Sequence, residues 1–227
     1  GGQSGISLDQ LGNANTDWQD EIYEEKFTSD ASISLRGGLF GAIPTRLSLG
    51  YTNQPGLRKT SEFERGTSSL SMNPSLLDDH LKINFNVNFS EEHNRFADGV
   101  EGSALIFDPT QPVYDATSPF GGFFEYHTNG EPNNAPRNPV ANLMQVKNVS
   151  NVKRLYGNFE VNYKFHFLPE MSAVVNLGYD NSDGRGSYNR SKESINGYRS
   201  GNNQPFLGTQ SSYTSNRSNR LLDAYLN

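Results

Sequence analysis

The sequence has no cysteine, few hydrophobic residues and no long apolar run. Without cysteine, a disulfide scaffold, a thiol nucleophile and a cysteine-ligated metal site are all excluded. Only 33% of the 227 residues are hydrophobic, and no segment approaches the ~20 consecutive apolar residues that a membrane-spanning helix needs. The net charge of −6 offers no basic surface, so we expect no nucleic-acid partner. Residues 1–10 also lack the basic and apolar segments of a signal peptide.

What the sequence does contain is a strict alternation of apolar and polar residues between His80 and Ser90. Successive side chains of a strand point to opposite faces, so this strand has one apolar and one polar face. Similar alternation recurs at about residues 27–37, 45–53, 61–73, 152–167, 171–180 and 221–227. This recurrence at membrane-spanning length predicts an all-β fold, an antiparallel transmembrane β-barrel wall with lipid on one side and a wet lumen on the other.

The connections between these strands alternate in length. The longest, at about residues 91–151 and 181–219, follow the fourth and sixth strands. Long loops of bacterial barrels face outside, so the first strand present runs inward, and an outward strand is expected before it. Seven strands also cannot close, because open edges in lipid leave backbone groups unpaired. We therefore expect a fragment, with residues 1–26 as an extracellular loop segment and residues 27–227 as part of a barrel.

Seven segments resemble, in the same order, blocks of the SusC-like (SusC/RagA) TonB-dependent outer-membrane transporters. They are residues 12–22 (GNANTDWQDEI), 47–52 (LSLGYT), 73–82 (NPSLLDDHLK), 108–114 (DPTQPVY), 138–141 (NPVA), 163–169 (YKFHFLP) and 221–227 (LLDAYLN). The resemblance implies a plugged barrel of about 22 strands, of which this chain supplies about strands 2–8. The plug, the segment that contacts TonB and most of the barrel then lie outside this sequence.

The same resemblance implies a function and partners. The protein would import oligosaccharides or peptides across the outer membrane of a Gram-negative, Bacteroidetes-like cell, in contact with outer-membrane lipid. A SusD-like surface lipoprotein would close over the barrel, and the TonB complex would act through the missing N-terminal part. Two other classes remain open: a non-transporting outer-membrane adhesin or receptor, and a soluble carbohydrate-binding β-module whose apolar faces bury each other.

An aromatic cluster in the loop at residues 118–126 is the candidate ligand site. Its rings could stack on sugars or grip peptide side chains, since ligand pockets combine such faces with a few polar groups. The alternative is that the rings pack the long loop against itself. The candidate ligand-binding residues are Phe120, Phe123, Phe124 and Tyr126. Within the same loop, residues 105–109 and 139–145 are predicted to form short helices, and Thr16 or Asp17 is predicted to cap another before the first strand.

The polar strand faces provide a second candidate set, in which charged side chains line the transport path, contact the plug or pair across neighbouring strands. The predicted lumen-facing residues are Arg46, Lys82, Glu160, Lys164 and His166. The four histidines share no ligand spacing, and no catalytic arrangement of residues is recognisable. We therefore expect no metal site, no cofactor and no enzymatic activity.

Overall fold

The computed structural model describes residues 11–197 and 207–227, so residues 1–10 of the predicted leading segment and residues 198–206 of the last predicted loop lie outside it. In chain order, the elements are α1 (Trp18–Ile22), β1 (Ser29–Leu39), β2 (Ile43–Asn53), β3 (Glu62–Met72), β4 (Ser75–Leu76), β5 (Leu81–Phe96), α2 (Glu101–Ile106), β6 (His127–Thr128), β7 (Glu131–Pro132), α3 (Pro139–Met144), β8 (Val146–Lys164), β9 (Ser172–Arg190), a 3-10 turn (Ile195–Gly197) and β10 (Thr209–Leu226). None of the helices in these two ranges has the length and apolar character to cross a membrane.

The long strands form one antiparallel sheet in which each pairs with its neighbours in the sequence. Their order is β1, β2, β3, β5, β8, β9 and β10, and β4 pairs with the first residues of β5. A separate two-stranded ribbon, β6 and β7, lies in the long connection between β5 and β8. The predicted all-β wall is confirmed, with every predicted strand present and in sequential order.

The register aligns the apolar residues of neighbouring strands into a band on one face of the sheet. Phe85 of β5 lies opposite Phe159 of β8, which in turn lies opposite Leu177 of β9. At the two ends of the band, the exposed fractions of Leu35 and Leu222 are 63% and 67%. Among the described residues no second sheet covers this face, so the structure does not support the soluble module in which apolar faces bury each other.

Short and long connections lie at opposite ends of the sheet. Residues 40–42 reverse the chain between β1 and β2, and the positive φ angles of Phe40 (52°) and Gly41 (79°) permit this tight turn. Residues 73–80 and 165–171 make the other two turns at this end. The longer connections, residues 54–61 and 97–145, lie at the opposite end, as do the described residues 191–197 and 207–208 between β9 and β10.

The strands continue beyond their predicted ends, which shortens both long loops. The loop predicted at about 91–151 spans 97–145 in the structure, and within the loop predicted at about 181–219, β9 continues to Arg190 and β10 begins at Thr209. Residues 181–190 and 209–220 are mostly polar on both faces, so hydrophobic alternation cannot detect them. Cross-strand backbone pairing nevertheless holds them in the sheet, as in the pair Arg190 and Thr209.

Candidate functional site

The three short helices and the long loop form a compact assembly at the end of the sheet with the long connections, which we call the outer loop cluster. Its buried apolar core draws on the segment before β1, on α2 and on α3. The core residues are Trp18, Ile22, Val100, Ala104, Phe107, Val113, Val140 and Leu143. This core is separate from the apolar band of the sheet, and it gives the loop a fixed shape instead of leaving it as open chain.

Trp18 joins the segment before β1 to the outer loop cluster. Its indole Nε1–H donates to the backbone oxygen of Asp108 at 2.9 Å, and its ring meets Phe107 edge-on at 4.6 Å. Asp17 caps α1 by accepting from the backbone N–H groups of Gln19 and Asp20, which confirms the predicted helix start. Gly12 lets the same segment approach Thr110 closely, since a Cβ there would lie 2.1 Å from the backbone oxygen of Thr110.

Asp108 organises the turn that follows Phe107. Its carboxylate accepts from the backbone N–H and the hydroxyl of Thr110, both at 2.8 Å, and from the hydroxyl of Tyr126 at 2.8 Å. Burial acts to raise the pKa of Asp108, but these hydrogen bonds outweigh it and hold the pKa below its usual value. Tyr126 responds in the opposite direction, because burial and the neighbouring carboxylate raise its pKa to about 12.

The four candidate ligand-binding aromatics differ in accessibility. Phe120 has an exposed fraction of 0%, and its ring lies 5.4 Å from that of His127. Phe123, Phe124 and Tyr126 are partly buried against the core of the outer loop cluster. For Phe120 the structure therefore favours the packing alternative. Contact with a ligand stays a hypothesis for the three rings that keep exposed surface.

Glu125 and Asn138 form a buried polar centre that the sequence did not indicate. The Glu125 Oε2 accepts from the backbone N–H of Asn138 at 3.1 Å, while its Oε1 accepts no hydrogen bond within the described residues. Burial raises the pKa of Glu125 to about 7, although the Asn138 N–H and the charge of Arg137 act to lower it. The Asn138 side chain accepts from the N–H groups of Val140 and Ala141, which caps α3. Its amide also donates to the backbone oxygens of Val113 and Phe124, which ties the start of α3 to the loop.

Residues 54–61, which join β2 to β3, also contact α2. Arg58 forms an ion pair with Glu101 and donates to the backbone oxygens of Ala97 and Asp98, each at 3.0 Å. Lys59 and Ile22 add a backbone bond between this connection and α1. The outer loop cluster is therefore fixed to the sheet through several connections and not only through the chain ends of its own loop.

The sheet register places four of the five predicted lumen residues on the polar face. Arg46 donates to the hydroxyl of Ser48 at 3.2 Å, and Glu160 accepts from the amide of Asn84 at 2.8 Å. Lys82 and Lys164 share this face at the end with the short turns, since both lie an even number of residues from polar-face partners on their own strands. That this face is the lumen stays a prediction.

His166 lies in the turn after β8, where its ring stacks on His80 with centroids 4.0 Å apart. The hydroxyl of Tyr163 lies 2.9 Å from its Nδ1. The sequence separates these two histidines by 86 positions, so only the register of β5 and β8 reveals the contact. Within residues 11–197 and 207–227, no group of three or more potential ligands is placed to hold a metal ion.

No protein-family profile matches the chain, but two curated proteins do. The TonB-dependent receptor SusC of Bacteroides thetaiotaomicron is 40% identical over 190 residues, which cover 77% of this chain and 19% of that receptor. The chain belongs to the SusC-like TonB-dependent receptors. A TonB-dependent receptor of Formosa agariphila is 30% identical over 168 residues, or 74% of this chain and 16% of the receptor. The chain thus spans less than a fifth of the length of these relatives.

Solved structures agree on the fold. The RagAB peptide transporter matches 95% of this chain and 24% of its own, with a TM-score of 0.70 and 17% identity. The RagAB peptide importer in its closed-closed state matches 94% of this chain and 23% of its own, with a TM-score of 0.62 and 18% identity. These likenesses identify the SusC-like chain as a partial β-barrel wall. All of these proteins are named as receptors, transporters or importers, and none as an enzyme.

Proposed function

We propose that the intact protein is an outer-membrane, TonB-dependent importer of oligosaccharides or peptides, and that this chain forms part of its barrel wall. The observation on which the proposal rests is the uncovered apolar band, aligned across the sheet and opposite a polar face, in a SusC-like receptor chain. Lipid is the medium that removes such a band from water, and a barrel lumen is the medium that keeps the opposite face wet.

Outside the membrane, the outer loop cluster would meet the partner lipoprotein. In a SusC-like importer this is a SusD-like protein that closes over the barrel. Leu105 and Ile106 of α2 support this role, because both are exposed apolar side chains on the surface of the cluster. The TonB complex would act through parts of the protein outside this chain. Residues 1–26 are proposed as the extracellular segment leading into β1.

The wall is tested by placing a charge on each face of one strand. Phe159 lies in the apolar band and Asn158 on the polar face, one position apart. We expect Phe159→Lys to cost about 2–4 kcal/mol in the bilayer and to reduce the folded protein in outer-membrane fractions. Asn158→Lys is the matched control and is expected to insert normally. Equal insertion of the two variants would contradict a lipid-facing band.

The transport function is tested in cells that express the intact protein. Uptake of labelled oligosaccharides and peptides is measured with TonB present, with TonB deleted and with the proton gradient collapsed. Import predicts uptake of one ligand class that requires both TonB and the gradient. Surface binding without any energised uptake would instead favour the adhesin or receptor function. Deleting the neighbouring SusD-like gene, if the importer has one, is expected to lower uptake at low ligand concentration.

A further inference from the structure

A small pocket lies beyond the apolar band, on the same face of the sheet and towards the long connections. Its volume is about 190 Å³, and its lining consists of Asn151, Lys153, Asp183 and Arg185. Strands β8 and β9 supply two residues each, and the register places the two pairs directly opposite each other. All four lie an even number of residues from Leu155 or Leu177 of the band, so they share its face. We call this site the charged pocket.

The position of the charged pocket along β8 corresponds to the level of lipid head groups. Leu155 is the last apolar outward residue of β8, and Lys153 lies two positions further towards the long connections. With a rise of about 3.4 Å per residue and a strand tilt of about 40°, this offset is about 5 Å along the membrane normal. The head-group layer is about 5–7 Å thick on each side of the hydrocarbon. Lipid that covers the band therefore has its head groups beside Lys153.

Charges of opposite sign alternate in and beside the charged pocket. Glu91, Lys153 and Asp183 lie opposite one another in a row across β5, β8 and β9. The Lys153 Nζ is 3.1 Å from a carboxylate oxygen of Glu91. The Arg185 Nε is 3.6 Å from a carboxylate oxygen of Asp183. Two cations and two anions cancel, so these four side chains carry no net charge.

The ion pairs leave hydrogen-bond donors available. At 3.6 Å the contact of Arg185 with Asp183 is too long for a hydrogen bond, and the guanidinium donates to no other group in the described part of the chain. The side chains of Lys153 and Arg185 are 61% and 76% exposed, and exposed pairs of this kind contribute little to stability. The Asn151 oxygen lies 2.7 Å from Nδ1 of His93, which leaves its amide N–H groups as further donors.

A head group that carries one phosphate and one amine matches both signs of charge. Phosphate oxygens form paired hydrogen bonds with a guanidinium such as that of Arg185, and the Lys153 ammonium adds another charge-assisted donor. The carboxylates of Glu91 and Asp183 then accept from the amine. A head group with a phosphate alone would bring its negative charge next to two carboxylates that no longer have a cation of their own.

We propose that the charged pocket binds the phosphoethanolamine head group of an outer-leaflet lipid. Arg185, Lys153 and the Asn151 amide hold the phosphate, and the ammonium donates to Asp183 and Glu91. The acyl chains of the same lipid continue along the apolar band beside Leu155. The inference rests on the proposed function, because only a wall that stands in the outer membrane brings lipid to this face.

Native mass spectrometry of the purified intact protein tests the proposal with three lipids that have identical acyl chains. Phosphatidylethanolamine carries the phosphate and the amine. Phosphatidylcholine keeps both charges but has no N–H to donate, and phosphatidylglycerol has no positive charge. We expect the wild-type protein to bind phosphatidylethanolamine about tenfold more tightly than either of the other two.

Substitutions separate the roles of the two signs of charge. Arg185→Gln removes a phosphate partner and is expected to weaken binding of phosphatidylethanolamine about tenfold. Asp183→Asn combined with Glu91→Gln removes both carboxylates and is expected to reverse the preference, so that phosphatidylglycerol binds best. Lys147→Gln and Glu64→Gln, exposed on the same face but outside the charged pocket, are the matched controls and should behave like wild type.

Each outcome decides one question. A reversed preference in the double variant, with both controls unchanged, supports the charged pocket as a head-group site. Equal binding of the three lipids, or an unchanged preference in Arg185→Gln and the double variant, overturns it while a membrane-inserted protein leaves the importer function intact. Soluble phosphoethanolamine that binds as tightly as the whole lipid overturns the lipid as the ligand. A wild-type protein absent from outer-membrane fractions contradicts the proposed function itself. If the double variant does not fold, Asp183→Asn alone decides, because it should lose the preference for phosphatidylethanolamine.

Discussion

Glu125 is expected to make the outer loop cluster less stable as the pH rises. The side chain is 4% exposed, and burial raises its pKa from 4.5 to about 7. The folded state therefore holds the proton more tightly than the unfolded state does. The contribution of Glu125 to the stability of the outer loop cluster is most favourable below pH 4.5. It is lost as the pH rises towards 7, because the buried carboxylate must then ionise away from solvent. In free energy the rise corresponds to about 3 kcal/mol.

Glu125→Gln removes this titration while keeping the side-chain shape. The glutamine oxygen can still accept from the backbone N–H of Asn138, so the geometry before α3 is preserved. In this variant, the free energy of local unfolding of the outer loop cluster loses the pH dependence that comes from residue 125. The amide of glutamine does not titrate, so any change in stability that it causes is the same at both pH values and cancels when the two are compared. Relative to wild type, the glutamine variant should therefore gain about 3 kcal/mol between pH 4.5 and pH 8.

Hydrogen exchange of the amides of Val140 and Ala141 measures this effect, because both donate to the Asn138 side chain at the start of α3. After correction for intrinsic exchange, wild-type protection should fall up to about 100-fold from pH 4.5 to pH 8. Protection in Glu125→Gln should stay level. Glu131→Gln, at an exposed position in the same loop, is the control and should behave like wild type. A parallel loss of protection in all three proteins would refute the reasoning.

Three further substitutions test the packing of the chain. Asn138→Ala removes a fully buried cap and its two loop bonds, and should lower the stability of the outer loop cluster by about 2–4 kcal/mol, measured by proteolysis of the loop. Gly157→Ala places a Cβ 2.2 Å from the oxygen of Asn86 and should reduce the yield of folded barrel, whereas Gly66→Ala, with open space around it, should not. Trp18→Ala should cost about 3–5 kcal/mol and expose the segment before β1 to protease, with the barrel still folded.

The sequence predicts the wall well because each strand has its own local signal. In β5, alternation from Leu81 to Phe89 is sufficient to assign the strand and its two faces. The start of α1 is equally local, since the Asp17 carboxylate reaches the N–H groups two and three positions later. Such features depend on neighbours in the chain, and the residues alone specify them.

The outer loop cluster is predicted less well because distant partners decide its conformation. Residues 105–109 were expected to be helical, yet α2 ends at Ile106. Phe107 instead packs against Trp18, which lies 89 positions earlier, and Asp108 forms a turn with Thr110. Glu125 likewise has no local signal of burial. Only the enclosing loop distinguishes it from an ordinary surface carboxylate.

The pairing of polar residues across neighbouring strands lies beyond sequence prediction for a related reason. Alternation fixes which face a residue occupies, but not which residues of other strands lie opposite. A shift of two residues between β5 and β8 would keep both faces intact and would move Tyr156 away from Asn88. The arrangement of the polar face therefore depends on the register, and the register depends on turns and loops whose contacts are long-range.

The strand lengths explain why the alternation of apolar and polar residues predicts only part of the strands next to the long loops. β8 contains 19 residues, but its outward positions are apolar only from Leu155 to Tyr163, which is close to the 9–11 residues that a strand needs to cross a bilayer. The preceding part, from Val146 to Arg154, has mostly polar outward residues and pairs with β9 along its whole length. Hydrocarbon selects apolar side chains only where it touches the wall. Beyond that depth the hydrogen bonds between strands suffice, and they extend the sheet outward to the position where the outer loop cluster begins.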